Sequence, residues 1–162
     1  MTAPRALWLR QAIRAATLLS TLAGAVWLSG LPLLFPSLGP TAYLFATTPA
    51  APECAPRRVV AGHAIGVLAG LVAFHALGSG IGIDTLTTPG SVSALRLAAS
   101  GVVAVGLTTA GMVATDTGHA PACATTLIVS LGILTTPRAA LLIVVAVVVL
   151  VVEQRVLDRI GV

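Results

Sequence analysis

Polar and apolar positions in this chain come in blocks and do not alternate. After Arg14 no Asp, Glu, Lys, Arg or His occurs until Glu53, and later interruptions fall at Arg57, Arg58, Asp84, Arg96, Asp116, Arg138 and Glu153. A helix needs roughly 20 apolar residues to cross ~30 Å of hydrocarbon, and these gaps are of that order. Four runs read as full spans: residues 15–34, 59–77, 97–114 and 139–152. The last is short and borrows Thr135, Thr136 and Pro137. Two further apolar pieces, 33–48 and 120–134, each open with prolines and glycines. Inside lipid every backbone N–H and C=O must be paired within the protein, which helices achieve and which the absence of period-2 alternation denies to a barrel. The pattern therefore predicts an all-α integral membrane bundle of about six segments, four full spans plus two short or broken helices.

Arginine placement orients this bundle, because cytoplasmic loops collect Lys and Arg. With the N-terminus inside and six crossings, Arg5, Arg10, Arg14, Arg57, Arg58, Arg155 and Arg159 are cytoplasmic and only Arg96 and Arg138 lie outside. With four crossings the split is less uneven. The uncharged stretch 15–52 is also about twice the length of one span. Six segments are thus expected, in the cell membrane, with both termini cytoplasmic. Arg5, Arg10 and Arg14 before an apolar run resemble a signal peptide, but the run is long and has no clear cleavage site, so it reads as a retained first span.

The chain also repeats a spacing. Pro40 is followed sixteen residues later by Pro56-Arg57, and Pro121 sixteen residues later by Pro137-Arg138. Each half reads as a span, a proline break, a short helix, Pro-Arg and another span. The expectation is one transmembrane domain, 1–162, with repeat halves 14–78 and 96–155. Three crossings per half would make the repeat inverted, an arrangement that places ligand sites where broken helices meet.

Composition narrows the function classes. Of 162 residues, 57% are hydrophobic and 9% charged, against roughly 25% charged in a soluble domain; mean hydropathy is +1.02. The net charge of +4 comes from arginines at the edges of apolar runs, where lipid head groups lie, so the partner is the bilayer and not nucleic acid. Cys54 and Cys123 lie in different segments and suggest no disulfide framework. His119 and Cys123 are four apart with Pro121 between them and no further ligand nearby, so no metal site or cofactor is expected. No nucleophile with a base and no phosphate loop is present; the protein is not expected to be an enzyme.

The breaks carry the candidate chemistry. In the first, Pro36 and Pro40 interrupt the helix, Gly39 loosens it, and a helix restarts after Pro40 over 41–48, its free N–H groups directed into the break. Helix N-termini attract anions. The second break, around Asp116, Gly118, His119, Pro121, Thr125 and Thr126, is the most polar stretch in apolar surroundings, and ionisable groups at membrane depth mark function. Two such ends facing one cavity favour a small anion. The candidate binding residues are Ser37, Gly39, Pro40, Thr41, His63, Gly118, His119, Pro121 and Thr125, with Arg57, Arg58 and Asp116 at the pathway mouth. His75 lies twelve residues from His63 on the same span, too far to share a ligand. Gly62, Gly66 and Gly70 form a small-residue face for helix contact, with a homo-oligomer as one use.

Phe35-Pro36-Ser37-Leu38-Gly39-Pro40-Thr41-Ala42 with Pro56-Arg57-Arg58-Val59-Val60-Ala61-Gly62-His63, and then His119-Ala120-Pro121-Ala122-Cys123-Ala124-Thr125, resemble the two motif blocks of the HPP family of small membrane proteins. The resemblance covers about residues 15–152. It departs at Ala120, in place of the first proline of the His-Pro-Pro motif, at Arg58, where Asn is usual, and at Cys123, where a small residue is common. Some plastid and cyanobacterial members are associated with nitrite transport, so the resemblance implies a membrane transporter or channel for a small solute, nitrite being the best candidate. The competing expectation is a non-transporting assembly or sensor subunit.

Overall fold

The computed structural model describes residues 5–161; residues 1–4 and 162, the ends of the expected domain, lie outside the described residues. Six helices form: α1 (Arg5–Ser29), α2 (Leu38–Thr47), α3 (Pro56–Ala73), α4 (Val92–Ala114), α5 (Ala122–Ser130) and α6 (Pro137–Ile160). No strand occurs among the described residues. Four helices are long and apolar enough to cross a membrane, Ala6–Ser29, Pro56–Gly78, Val92–Ala114 and Pro137–Ile160, the second including one π turn at Phe74–Gly78. At 1.5 Å per residue, α2 with 10 residues and α5 with 9 cover about half the hydrocarbon thickness. Four spans and two half-length helices match the expected architecture.

Local chemistry sets the helix ends, and here several boundaries move. The first helix starts ahead of residue 15 and stops at Gly30, whose φ of +67° suits glycine. The 139–152 run extends to Pro137–Ile160, with Pro137 at the first helical position and the Thr136 hydroxyl accepting from Ala139 N–H at 3.2 Å. Its charged C-terminal turns continue the helix alongside α1, where Asp158 pairs with Arg14 and Glu153 accepts from Thr21. The short helix of the first break begins at Leu38, not after Pro40. Pro40 sits in its first turn, where the missing N–H costs no helical bond.

Side-chain pairs fix the helix directions. Arg14 on α1 is ion-paired to Asp158 on α6, and Thr21 donates to Glu153 at 2.8 Å. Arg58 on α3 pairs with Asp116 just beyond α4 at 2.6 Å, and Pro56 shares a pocket with Gln154 and Asp158. The starts of α1 and α3 and the ends of α4 and α6 therefore share one end of the bundle. Since α1 and α3 both leave that end, residues 30–55 must bring the chain back; since α4 and α6 both arrive there, residues 115–136 must carry it away. Arg10, Arg14, Arg57, Arg58, Arg155 and Arg159 fall toward this end, and Arg96 and Arg138 near the starts of α4 and α6.

The apolar core lies between α1, α2, α3 and α6, with Leu18, Leu22, Leu38, Val59, Ile143, Val147 and Leu150 out of contact with solvent. Large apolar side chains also point outward, Trp27 at 84% exposure and Val102 at 75% among them. Hydrocarbon is the medium in which such a surface is favourable. The remaining interior, around α5, adds small and hydroxylated residues to Leu97, Met112, Ile128 and Val129. Thr108 and Thr126 share a hydrogen bond of 2.8 Å and Ser100 donates to the Ser130 carbonyl at 2.9 Å.

The glycine face of α3 is used inside the chain, which corrects the homo-oligomer expectation for it. A Cβ on Gly66 would lie 2.7 Å from the Ala122 carbonyl oxygen, and one on Gly70 would lie 2.8 Å from Val129 Cβ. Gly62 faces His119 and Ala122 in the same way. All three are buried under α5, so α5 occupies the contact surface that a second copy would need.

Candidate functional site

The site forms where the two short helices start. Ser37 is the residue before α2 and Thr41 lies on the inner face of its first turn; neither has solvent exposure. His63 lies two turns into α3, one residue beyond Gly62, and the missing Cβ at Gly62 lets the His119 segment approach. His119 belongs to the turn that leads into α5, and Thr125 is on the first turn of α5 facing α3. Both histidines are buried, at 0% and 1%, with ring centroids 5.2 Å apart.

One hydroxyl joins them. Thr41 Oγ1 is 3.3 Å from His63 Nε2, 3.1 Å from His119 Nε2 and 3.3 Å from the Ser37 carbonyl oxygen. The opposite ring nitrogens are also engaged: His63 Nδ1 lies 2.7 Å from Thr125 Oγ1 and His119 Nδ1 lies 2.9 Å from the Glu53 carbonyl oxygen. That carbonyl belongs to a short 3-10 turn, Pro52–Cys54, which lies between α2 and α3 and caps the cluster. Above it, Arg57 donates to the Thr115 carbonyl at 2.9 Å and Arg58 pairs with Asp116. Arg57, Arg58 and Asp116, the residues expected at a pathway mouth, thus stand together within about two turns of the histidines.

The two helix starts differ, which corrects the expectation of matching ends. At α5 the N–H groups of Ala122, Cys123 and Ala124 already bond to the carbonyls of His119, Ala120 and Pro121 at 3.0–3.1 Å. Pro121 is buried and supplies no N–H. The α5 end is therefore closed by its own turns. At α2 only Leu38 N–H is bonded in this way, to Phe35 at 3.0 Å; Pro40 has no N–H, and Gly39 N–H has no backbone partner. The Ser37 hydroxyl is also buried without a partner, a costly state that bound polar groups relieve. Nor do the two ends face each other across an open cavity, as expected. Their side chains are hydrogen-bonded directly through Thr41 and His119.

Of the residues singled out in the sequence, Ser37, Thr41, His63, His119 and Thr125 converge. Gly39 is half-buried beside them, with open space where a Cβ would project. Pro40, Ala120 and Gly118 are exposed. Pro40 and Pro121 instead line an apolar groove with Tyr43, Leu44 and Ala124. His75 is exposed in the π turn, on the far part of α3. Among the described residues no three His, Cys, Asp or Glu side chains converge; Cys54 and Cys123 are free thiols. The Glu53 carbonyl was not foreseen, because a backbone acceptor leaves no mark in sequence. The α1–α6 cluster of Arg14, Thr21, Glu153, Gln154 and Asp158 was also unforeseen. Its one signal was a Glu-Gln pair and an Asp continuing the apolar period of the last helix.

No curated protein and no solved structure matches the chain. A family model described as "HPP, transmembrane region" matches residues 2–160, nearly the whole length, with both short-helix starts and all four long spans inside it; the chain belongs to the HPP family of membrane proteins.

Proposed function

We propose that this protein transports a small anion, with nitrite as the best candidate, through the site at the start of α2. The observation that carries this reading is the buried, unpartnered Ser37 hydroxyl beside the free Gly39 N–H. Two donors without acceptors, at the positive end of the helix whose Thr41 hydroxyl bonds both imidazoles, suit a compact acceptor carrying negative charge. Apolar walls keep the surroundings at low dielectric, so each donor counts for more than it would in water. Arg57 and Arg58 at the mouth would raise the local anion concentration.

The directions of the six helices support an inverted repeat of residues 14–78 and 96–155, since each half places one half-length helix between two long ones and the halves run oppositely. Pro56 and Pro137 both begin the second long helix of their half. The crowded arginine end would be cytoplasmic, with both termini there.

Flux into proteoliposomes is the test. Nitrite, nitrate, formate and chloride are supplied outside, and uptake of at least one of them above protein-free liposomes is expected. No uptake of any by wild-type protein would reject transport and favour an assembly or sensor subunit, which would instead co-purify with a fixed partner.

A further inference from the structure

We propose, resting on the anion reading above, that His119 takes up one proton together with the anion and that the Thr41 hydroxyl is the switch that accommodates it, so the carried unit is electrically neutral.

The hydrogen bonds allow one order of protons in the neutral site. The Glu53 carbonyl can only accept, so His119 Nδ1 carries a hydrogen and its Nε2 is a bare lone pair. Thr41 must then donate to His119 Nε2. Having given its one hydrogen away, Thr41 accepts from His63 Nε2–H. His63 Nδ1 is left bare and accepts the Thr125 hydroxyl. This assignment follows from the network, since hydrogens are placed by it and not seen.

Adding a proton at His119 Nε2 reverses one bond and makes another. The new N–H donates to Thr41, which turns its own hydrogen to the Ser37 carbonyl, 3.3 Å away. Thr41 then accepts from both imidazoles with its two lone pairs. No group loses its partner and no side chain needs to move. His63 has no such alternative. A proton on its Nδ1 would displace the Thr125 hydrogen, and among the described residues Thr125 has no second acceptor within hydrogen-bond distance.

Electrostatics ties this proton to an anion. An imidazolium beside the starts of α2 and α5 faces the positive ends of both helices. An anion alone there meets the desolvation cost of a buried charge. Bound together they neutralise each other, and opposite charges attract more strongly in low dielectric than in water. The ionisable neighbours are His63 itself, Glu53 on the capping turn, and above it Arg57 and the Arg58–Asp116 pair. From α2, α4 and α5 the buried polar side chains are hydroxyls, Thr41, Ser100, Thr108, Thr125, Thr126 and Ser130. The balance is one proton from the entry side bound at Nε2 and released at the exit side for each anion carried.

Two measurements decide it. Protein labelled with 15N-histidine in lipid nanodiscs near neutral pH should show hydrogen on Nδ1 of His119 and on Nε2 of His63. Saturating nitrite should protonate both nitrogens of His119 and leave His63 unchanged. The opposite tautomers, or a neutral His119 with nitrite bound, would overturn the proposal. In proteoliposomes holding a pH dye, with protein-free liposomes setting the background from undissociated acid, nitrite entry should acidify the lumen at one proton per anion. Its rate should change less than about two-fold when a potassium–valinomycin potential is reversed. Anion flux that follows the potential and leaves luminal pH unchanged rejects the coupling and keeps the transport reading; absence of all anion flux rejects both. Thr41→Ser should keep the one-to-one ratio and Thr41→Val should lose it, and a Thr41→Val protein that retains the ratio would remove Thr41 from the switch. If that variant does not fold, the wild-type tautomers and nitrite response still decide.

Discussion

The two short helices begin alike in sequence and differ in the fold. Each has proline in or before its first turn and each carries an inward threonine, Thr41 or Thr125. Yet α5 is packed against the glycine face of α3 and bonded to α4 through Thr126 and Ser130, and its first N–H groups are consumed by its own turns. The other, α2, packs on α1 with Tyr43 at 62% exposure, and its start keeps a free N–H and an unpartnered hydroxyl. One helix start is built as structure and the other retains unspent hydrogen-bonding capacity. On α5 the buried hydroxyl without a partner, Ser130, lies at the far end of the helix, so only α2 keeps such a group at its start, which is why the proposed anion site is drawn there.

The comparison breaks first at its glycines. Gly66→Ala should force α3 and α5 apart, because the added carbon would meet a backbone carbonyl at 2.7 Å that cannot rotate away. The expected loss is about 1–3 kcal/mol, read as a lowered thermal midpoint in detergent. Gly39→Ala on α2 meets nothing within 4 Å and should stay within about 0.5 kcal/mol of wild type. Equal destabilisation by the two would mean that α2 is as tightly packed as α5.

A pair of hydroxyl deletions sharpens the contrast. Thr125→Val removes a 2.7 Å bond to buried His63 and should cost about 1–2 kcal/mol, since the imidazole nitrogen is left unpaired. Ser37→Ala removes a hydroxyl that has no partner, so stability should rise by roughly 1 kcal/mol while anion uptake falls. A Ser37→Ala protein that is less stable and equally active would show that the hydroxyl serves folding. The smallest effect belongs to the Arg58–Asp116 pair. Asp116→Asn breaks a surface ion pair whose carboxylate is 76% exposed and should change stability by less than about 1 kcal/mol, with anion uptake unchanged or faster.

The sequence alone determined the membrane class, the number of segments and the places where they break. These follow from block length against bilayer thickness and from proline chemistry, both local properties of the chain. It also supplied the five polar residues that converge, because a hydroxyl or imidazole inside an apolar run is conspicuous wherever it folds. Tertiary structure decided the rest. Only packing could show that Gly62, Gly66 and Gly70 receive α5 and not a second copy. Only it could show that one hydroxyl, Thr41, bridges two histidines drawn from segments 56 residues apart. The difference between the helix starts was likewise hidden, since it depends on which N–H and O–H groups find acceptors, and that is settled by three-dimensional neighbours and not by residue type.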